Sequence, residues 1–282
     1  MYSIYHFFAH LIRNKQQFHA VGKLEDFPFD SELISAKSDF RFPDLAIRIN
    51  EDSSDFTGGE LIELKDTGTY SIASFNSTIP TGKKDIHKLI PKPSGTLYTD
   101  MTLAGDQVYS LPIRDVFYLI RGRNKRRNTV KVCLVHGSFF ETVKVDELIR
   151  QAFSQVFEER IESGKVEVEE ALKELLLDVF SDQETFSKTR DVENASVNLR
   201  FRVMTEAKSE GNILNPRRYP EITDNTLSLI VPCHSPEIEA QERDRIRKAT
   251  SETEAGALRI FKIKHLLNGE FLVFQTDIGT PV

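Results

Sequence analysis

Apolar side chains recur at helical spacing near the start of the chain, at positions 4, 7, 8, 11 and 12. Residues three and four apart lie on one face of an α-helix, so this stripe predicts an N-terminal helix with one buried face. Similar stripes predict helices over residues 145–161, closed by Gly164, and over residues 168–179. A more polar helix is predicted to begin at Pro236, because Ser235 is a good cap and proline is favoured in the first turn.

Stretches of alternating or β-branched apolar residues predict strands. In FRFPDLAIRI (residues 40–49) Leu45, Ile47 and Ile49 alternate with Asp44, Ala46 and Arg48, and GELIELK (59–65) follows after a polar, glycine-containing connection that is typical of a hairpin. TYSIASF (69–75) continues the second strand or forms a third. Residues 77–107 are rich in Pro, Gly, Thr and Lys and are expected to form a long loop. Further strands are predicted at LPIRDVFYLIRG (111–122), NTVKVCLVHGSFF (128–140), VNLRFRVM (197–204), TLSLIVPC (226–233), ALRIFKIK (257–264) and EFLVFQT (270–276).

This order of helices and strands predicts a mixed α/β domain. We find no internal repeat and no Pro-, Gly- or Ser-rich linker, so residues 1–282 are interpreted as a single domain. Its catalytic core is expected in about residues 1–165. Three roles remain open for residues 166–282, namely recognition, dimerisation or completion of the core.

The composition, with 39% hydrophobic and 28% charged residues, is that of a soluble globular protein. No stretch reaches the roughly 18 apolar residues that span a membrane, and the N-terminal residues lack the features of a signal peptide. Cys133 and Cys233 stand 100 positions apart, without the spacing of a metal site or a disulfide framework. These features predict a reduced, cytoplasmic protein.

A charged pair interrupts one of the predicted core strands. Side chains two apart in a strand point the same way, so Glu63 and Lys65 project together, and a hairpin can bring Asp44 beside Glu63. Two carboxylates that share a small site repel each other unless a cation lies between them, and oxygen ligands select Mg²⁺ or Mn²⁺. Lys65 can orient a water or help to deprotonate it. The three residues therefore indicate metal-assisted hydrolysis of a phosphodiester.

The pattern Pro43-Asp44, an interval, then Glu63-x-Lys65 resembles the PD-(D/E)XK signature of the restriction-endonuclease-like nuclease superfamily. The resemblance covers about residues 40–66. It implies a central mixed β-sheet flanked by helices, Mg²⁺-dependent cleavage of DNA, Asp44 and Glu63 as metal-binding acids, and Lys65 as the catalytic lysine. Glu32, on a short helix expected before the first strand, resembles the additional metal-binding acid of some members.

Two alternatives remain open for the motif. Glu63 and Lys65 can be an incidental pair on a solvent-facing strand, where such pairs contribute little. A second acid-x-lysine pair, Glu206 and Lys208, ends a later predicted strand, with Asp191 as the candidate upstream acid. It lacks the preceding Pro-Asp.

Polar and basic residues near the motif are candidates for DNA contact. The stretch after the motif strand offers Ser74, Asn76, Thr78, Lys83 and Lys84. The run RGRNKRRN (121–128) places five cations in seven positions of a chain whose net charge is −6, at the junction of two predicted strands. These cations are Arg121, Arg123, Lys125, Arg126 and Arg127. A locally basic turn can neutralise DNA phosphates, although such runs are usually only solvated.

The sequence is therefore interpreted as a Mg²⁺-dependent endonuclease for double-stranded DNA, with Mn²⁺ as a substitute metal, and most simply as a type II restriction enzyme. The resemblance implies a homodimer, because two active sites then meet the two strands of a palindrome. The alternatives are a repair or recombination nuclease of the same superfamily and a DNA-binding protein without hydrolysis.

Overall fold

The computed structural model of the chain describes residues 2–38, 42–49, 55–72, 74–75, 80–141, 145–164, 169, 171–175, 205–206 and 209–279. The chain separates into two compact units, where the sequence suggested one domain. The first unit comprises Met1–Ala73, Gly82–Phe140 and Ala207–Val282, and the second comprises Ser74–Thr81 and Glu141–Glu206.

The first unit is built on a mixed nine-stranded sheet, in the order β1-β2-β3-β6-β7-β9-β11-β10, with β5 paired to β6 beside this path. Its strands are β1 (Ile34–Lys37), β2 (Leu45–Ile47), β3 (Leu61–Thr67), β5 (Lys83–Asp85), β6 (Ile113–Asn124), β7 (Thr129–His136), β9 (Thr226–Pro232), β10 (Arg259–His265) and β11 (Gly269–Asp277). Strands β3 and β6 run parallel, as do β7 and β9, and the other neighbours are antiparallel. The coarse prediction of a mixed α/β fold with a central mixed sheet is confirmed.

Helices of the first unit flank this sheet. They are α1 (Ile4–Arg13), α2 (Gln17–Ala20), α3 (Ile86–Leu89), α4 (Thr96–Leu103), α6 (Pro236–Ala249) and α7 (Glu252–Gly256). The apolar stripe of α1 is buried in the main hydrophobic core, together with residues from β2, β3, β6, β7, β9 and β11. As the sequence predicted, Ser235 caps α6 by accepting a hydrogen bond from the backbone N–H of Ile238, and Pro236 is in its first turn.

The second unit contains helix α5 (Val145–Glu162) and a two-stranded antiparallel ladder of β4 (Ser74–Phe75) and β8 (Thr205–Glu206). Helix α5 was predicted from the apolar spacing. The strand predicted at 197–204 and half of the helix predicted at 168–179 lie outside the described residues.

Three local expectations need correction or completion. Residues 83–103 are not an open loop, because they form β5, α3 and α4. Residues 31–33 form a turn that leads into β1, where a short helix carrying Glu32 was expected. Residues 209–279 supply β9, β10 and β11 to the same sheet as β3, so this stretch completes the core. Among the described helices, none combines the length and apolarity that a membrane crossing requires.

Candidate active site

The two strands that carry the motif are neighbours in the sheet. Strand β2 pairs antiparallel with β3, Leu45 opposite Ile62 and Ala46 opposite Leu61. Continuing this register by one residue places Asp44 opposite Glu63, and directly opposed residues of an antiparallel pair point to the same face. The hairpin predicted from the sequence therefore brings the two carboxylates together.

Asp44 is held at the point where the ladder between the two strands stops. If the pairing of β2 with β3 continued, Pro43 would stand opposite Leu64, but Pro43 belongs to no strand. The Asp44 side chain takes its place, since Oδ2 accepts a hydrogen bond of 2.7 Å from the backbone N–H of Leu64. This N–H lies between Glu63 and Lys65 in the chain. The aspartate is thus fixed against the acid-x-lysine segment by a contact to the segment itself.

Glu63 and Lys65 point away from the main hydrophobic core and towards the opposite face of the sheet. Lys65 Nζ donates a hydrogen bond of 2.8 Å to Glu63 Oε1. The Glu63 side chain is only 4% exposed and that of Lys65 is 21% exposed. Because Glu63 is buried, this is not the incidental solvent-facing pair considered above.

The Asp44 carboxyl group is partly buried and has other acidic side chains near it. Burial and the negative charge of Glu63 raise the pKa of Asp44 to about 7. The hydrogen bond from Leu64 and the charge of Lys65 oppose this rise, while the charge of Glu25 adds to it. A bound cation would favour the ionised form of both acids.

The donor set of Asp44 and Glu63 suits Mg²⁺, which often binds through one or two carboxylates and keeps several waters. The described residues contain no group of three or more His, Cys, Asp or Glu side chains arranged to hold a metal ion. From the part of the chain that the structure describes, a site here would therefore have two protein carboxylates, with water completing the coordination.

The additional acid expected at Glu32 is not at this place. Leu33 accepts a hydrogen bond from Arg48, whereas Asp44 pairs with Ser38 at the other end of β1. Leu33 and Ser38 are five residues apart along an extended strand, which is about 16 Å. The prediction for Glu32 is wrong because Glu32 lies in the turn before β1, at the end of this strand that is remote from Asp44. The third acid whose charge reaches Asp44 is Glu25, which lies on a 3₁₀ turn that hydrogen-bonds to β3 through Leu24.

Arg121 lies in the interior of the protein. Its side chain is fully buried, and its guanidinium pairs with both carboxylate oxygens of Asp66, at 3.0 and 2.6 Å. It also donates to the backbone carbonyls of Phe18, Val21 and Gly22. These groups occupy the guanidinium, so Arg121 does not face a DNA backbone, and its expected contact is corrected to a structural one.

The rest of the basic run is divided between a strand and a turn. Arg123 is at the end of β6 and donates to Gly22 and Asp66, with its side chain 35% exposed. Lys125, Arg126 and Arg127 are exposed on the turn between β6 and β7. The exposed part of the predicted basic surface is therefore this turn, with Arg123 at its edge.

The polar and basic residues that follow the motif also differ in their surroundings. Lys83 is exposed and lies 3.8 Å from Asp115, whereas Lys84 is buried, with Nζ 5.3 Å from the centre of the Phe42 ring. Lys84 therefore cannot serve as a surface contact for DNA. Ser74 forms part of β4 opposite Glu206, and Asn76 and Thr78 lie outside the described residues.

For the second acid-x-lysine pair, the described residues show no arrangement like that of Asp44, Glu63 and Lys65. Glu206 ends the short strand β8 of the second unit, and both Lys208 and Asp191 lie outside the described residues.

Comparison with protein-family models, with curated proteins and with solved structures found no match.

Proposed function

We propose that the chain is a Mg²⁺-dependent nuclease that hydrolyses phosphodiester bonds of double-stranded DNA, with Asp44, Glu63 and Lys65 as its active site. The observation that carries the proposal is the contact of Asp44 with the backbone of Leu64. It joins an upstream aspartate to the middle of the acid-x-lysine segment on one face of the sheet.

Each of the three residues has a role that its surroundings favour. Asp44 and Glu63 are the oxygen ligands for the cation. Lys65, held by Glu63 and still 21% exposed, can reach a substrate phosphate or the attacking water. Its positive charge stabilises the negative charge that develops when the water oxygen bonds to phosphorus and the bond to the leaving oxygen breaks. Bound Mg²⁺ would supply Lewis-acid stabilisation of the same charge.

The choice of DNA rests on the resemblance of the motif to PD-(D/E)XK nucleases, supported by the exposed cations of the β6–β7 turn. Within that superfamily, we propose a type II restriction enzyme. We accordingly propose a homodimer acting on a palindromic duplex. A repair or recombination nuclease on the same scaffold would act instead on damaged or branched DNA.

The decisive experiment is incubation of the purified protein with plasmid DNA in Mg²⁺, in Mn²⁺ and in EDTA. Discrete fragments that require the metal support a restriction enzyme, and cleavage confined to branched DNA supports the repair alternative. Retained DNA binding without cleavage would support the non-catalytic binding protein. That last result is the one expected if two carboxylates are too few to hold the metal.

Substitutions at single residues test whether Asp44 and Lys65 belong to the active site. Asp44→Ala and Lys65→Ala should each lower the cleavage rate at least about 100-fold, as expected for groups that act on the transition state. Lys264→Ala, at an exposed position of β10, is the matched control and should cut at the wild-type rate. Wild-type cleavage by both site variants, with loss of cleavage in Glu206→Ala, would transfer the assignment to the second pair.

A further inference from the structure

Three planar side chains form a stack on the segment that follows β5. The His87 ring lies parallel to that of Tyr109, with centroids 4.8 Å apart and an interplanar angle of 2°. The Tyr98 ring also stacks with that of Tyr109, with centroids 5.8 Å apart and an interplanar angle of 29°. His87 is the exposed end of the stack, while both tyrosines are partly buried. Tyr109 covers one face of the His87 imidazole, so the exposed parts of this ring are its other face and its edge.

The stack is held in place from both ends of the segment. Tyr109 donates its hydroxyl hydrogen to the backbone carbonyl of Ile90, at 3.0 Å. The Asp85 carboxylate caps the short helix α3 by accepting a hydrogen bond of 2.8 Å from the backbone N–H of His87. A planar group that is fixed in advance loses little conformational entropy when another ring packs against it.

A nucleobase is the ligand that such a platform fits. Bases that are unstacked from their neighbours commonly pack on Phe, Tyr, Trp or His rings, whereas bases within a duplex have no free face. Exposed lysines lie within five positions of His87 and can approach the adjoining phosphates, namely Lys83, Lys88 and Lys92.

We infer that the ring stack of His87, Tyr109 and Tyr98 binds an unpaired nucleobase of the nucleic acid on which the candidate active site acts. This inference rests on the proposed function and adds that at least one base of the bound DNA lies outside the duplex stack. Such a base is available in a single strand, at a branch, or after the protein extrudes it from a duplex.

The stack and the active site belong to the same unit: the stack lies in the segment between β5 and β6, and Glu63 lies on β3, which also pairs with β6. Lys84, three residues before His87, pairs with Arg114 of β6, and Glu63 pairs with Tyr118 of the same strand. These two positions on β6 are four residues apart, about 13 Å along the strand.

The test compares two ligands that differ only in their bases. Binding of a fluorescent single-stranded oligothymidylate and of an abasic oligomer of equal length is measured by anisotropy, in EDTA and at one salt concentration. Wild type should prefer the thymidylate by at least about five-fold, the lower end of what one stacked base contributes. His87→Ala should remove this preference without weakening the binding of the abasic oligomer.

His87→Phe keeps a ring and should retain the preference, which separates stacking from any role of the imidazole nitrogens. His234→Ala, at an exposed histidine between β9 and α6, is the matched control and should behave as wild type. A melting temperature equal to that of wild type excludes unfolding of His87→Ala.

Equal binding of both oligomers by wild type, or an undiminished preference in His87→Ala, overturns the inference. Metal-dependent plasmid cleavage together with either result leaves the nuclease proposal standing and refutes the stacking site alone. A His87-dependent base preference without any cleavage refutes the nuclease proposal and leaves a base-binding site.

Discussion

Replacement of Arg121 by methionine tests whether this cation serves the fold. The substitution keeps most of the apolar volume and removes five hydrogen bonds, two to Asp66 and three to backbone carbonyls. Breaking a buried ion pair costs about 3–5 kcal/mol, chiefly because one charge is left uncompensated. Asp66 is 15% exposed and keeps hydrogen bonds from Leu24 and Arg123, so we expect the lower end, about 3 kcal/mol.

Thermal unfolding followed by far-ultraviolet circular dichroism measures this loss. A decrease of about 3 kcal/mol corresponds to a melting temperature about 6–12 °C lower for a unit of this size. Arg127→Met, in the exposed turn of the same basic run, is the control and should stay within about 0.5 kcal/mol of wild type. Adding Asp66→Asn to Arg121→Met should recover part of the stability, because the unpaired charge disappears.

Equal melting temperatures for Arg121→Met and Arg127→Met would refute this reasoning. A selective loss of DNA affinity in Arg121→Met, with unchanged stability, would restore Arg121 to the DNA-binding surface.

Three further predictions concern charge. Asp44→Asn should abolish cleavage. At a pH above 7 it should also raise the melting temperature by a few degrees, because burial and the charge of Glu63 disfavour the ionised carboxylate of Asp44. An unchanged or lower melting temperature at that pH would contradict this prediction. Burial raises the pKa of Glu60 to about 7, and its carboxylate accepts a hydrogen bond from the backbone N–H of Ile4. The folded state therefore binds the proton of the Glu60 carboxyl group more tightly than the unfolded state does. As a result, the contribution of Glu60 to stability falls as the pH rises from about 4.5 through 7. Glu60→Gln should match wild type near pH 5 and exceed it by about 1 kcal/mol or more at pH 8, and parallel pH profiles of the two proteins would contradict the assignment. Joint replacement of Lys125, Arg126 and Arg127 by alanine should lower the slope of log affinity against log salt by up to about 3, and an unchanged slope would show that this turn does not contact DNA.

Local patterns were sufficient to predict several elements. The apolar stripe of α1 and the cap of α6 depend on residues within one or two turns, and the helix physics that selects them is local. The placement of Asp44 opposite Glu63 also followed from the sequence, because a hairpin links neighbours in the chain. Strands β10 and β11 form a similarly local pair.

The errors concern residues whose surroundings come from distant parts of the chain. Arg121 looked like one more surface cation, yet carbonyls about 100 positions earlier surround it. Lys84 is buried against Phe42, and Glu32 lies in a turn at the end of β1 that is remote from Asp44. The parallel pairing of β3 with β6, across a connection of 45 residues from 68 to 112, is equally non-local. Sequence spacing alone does not specify such contacts.

The pairing of β7 with β9 joins positions that are 95 residues apart in the chain, and it limits how the protein can be shortened. Lys131–Val135 of β7 bond to Thr226–Ile230 of β9, and these positions of β7 are buried. A chain ending near residue 165 would contain Asp44, Glu63 and Lys65 but would leave this edge without its partner. Exposed apolar edges of this kind recruit other chains, so such a fragment would aggregate before its chemistry could be examined.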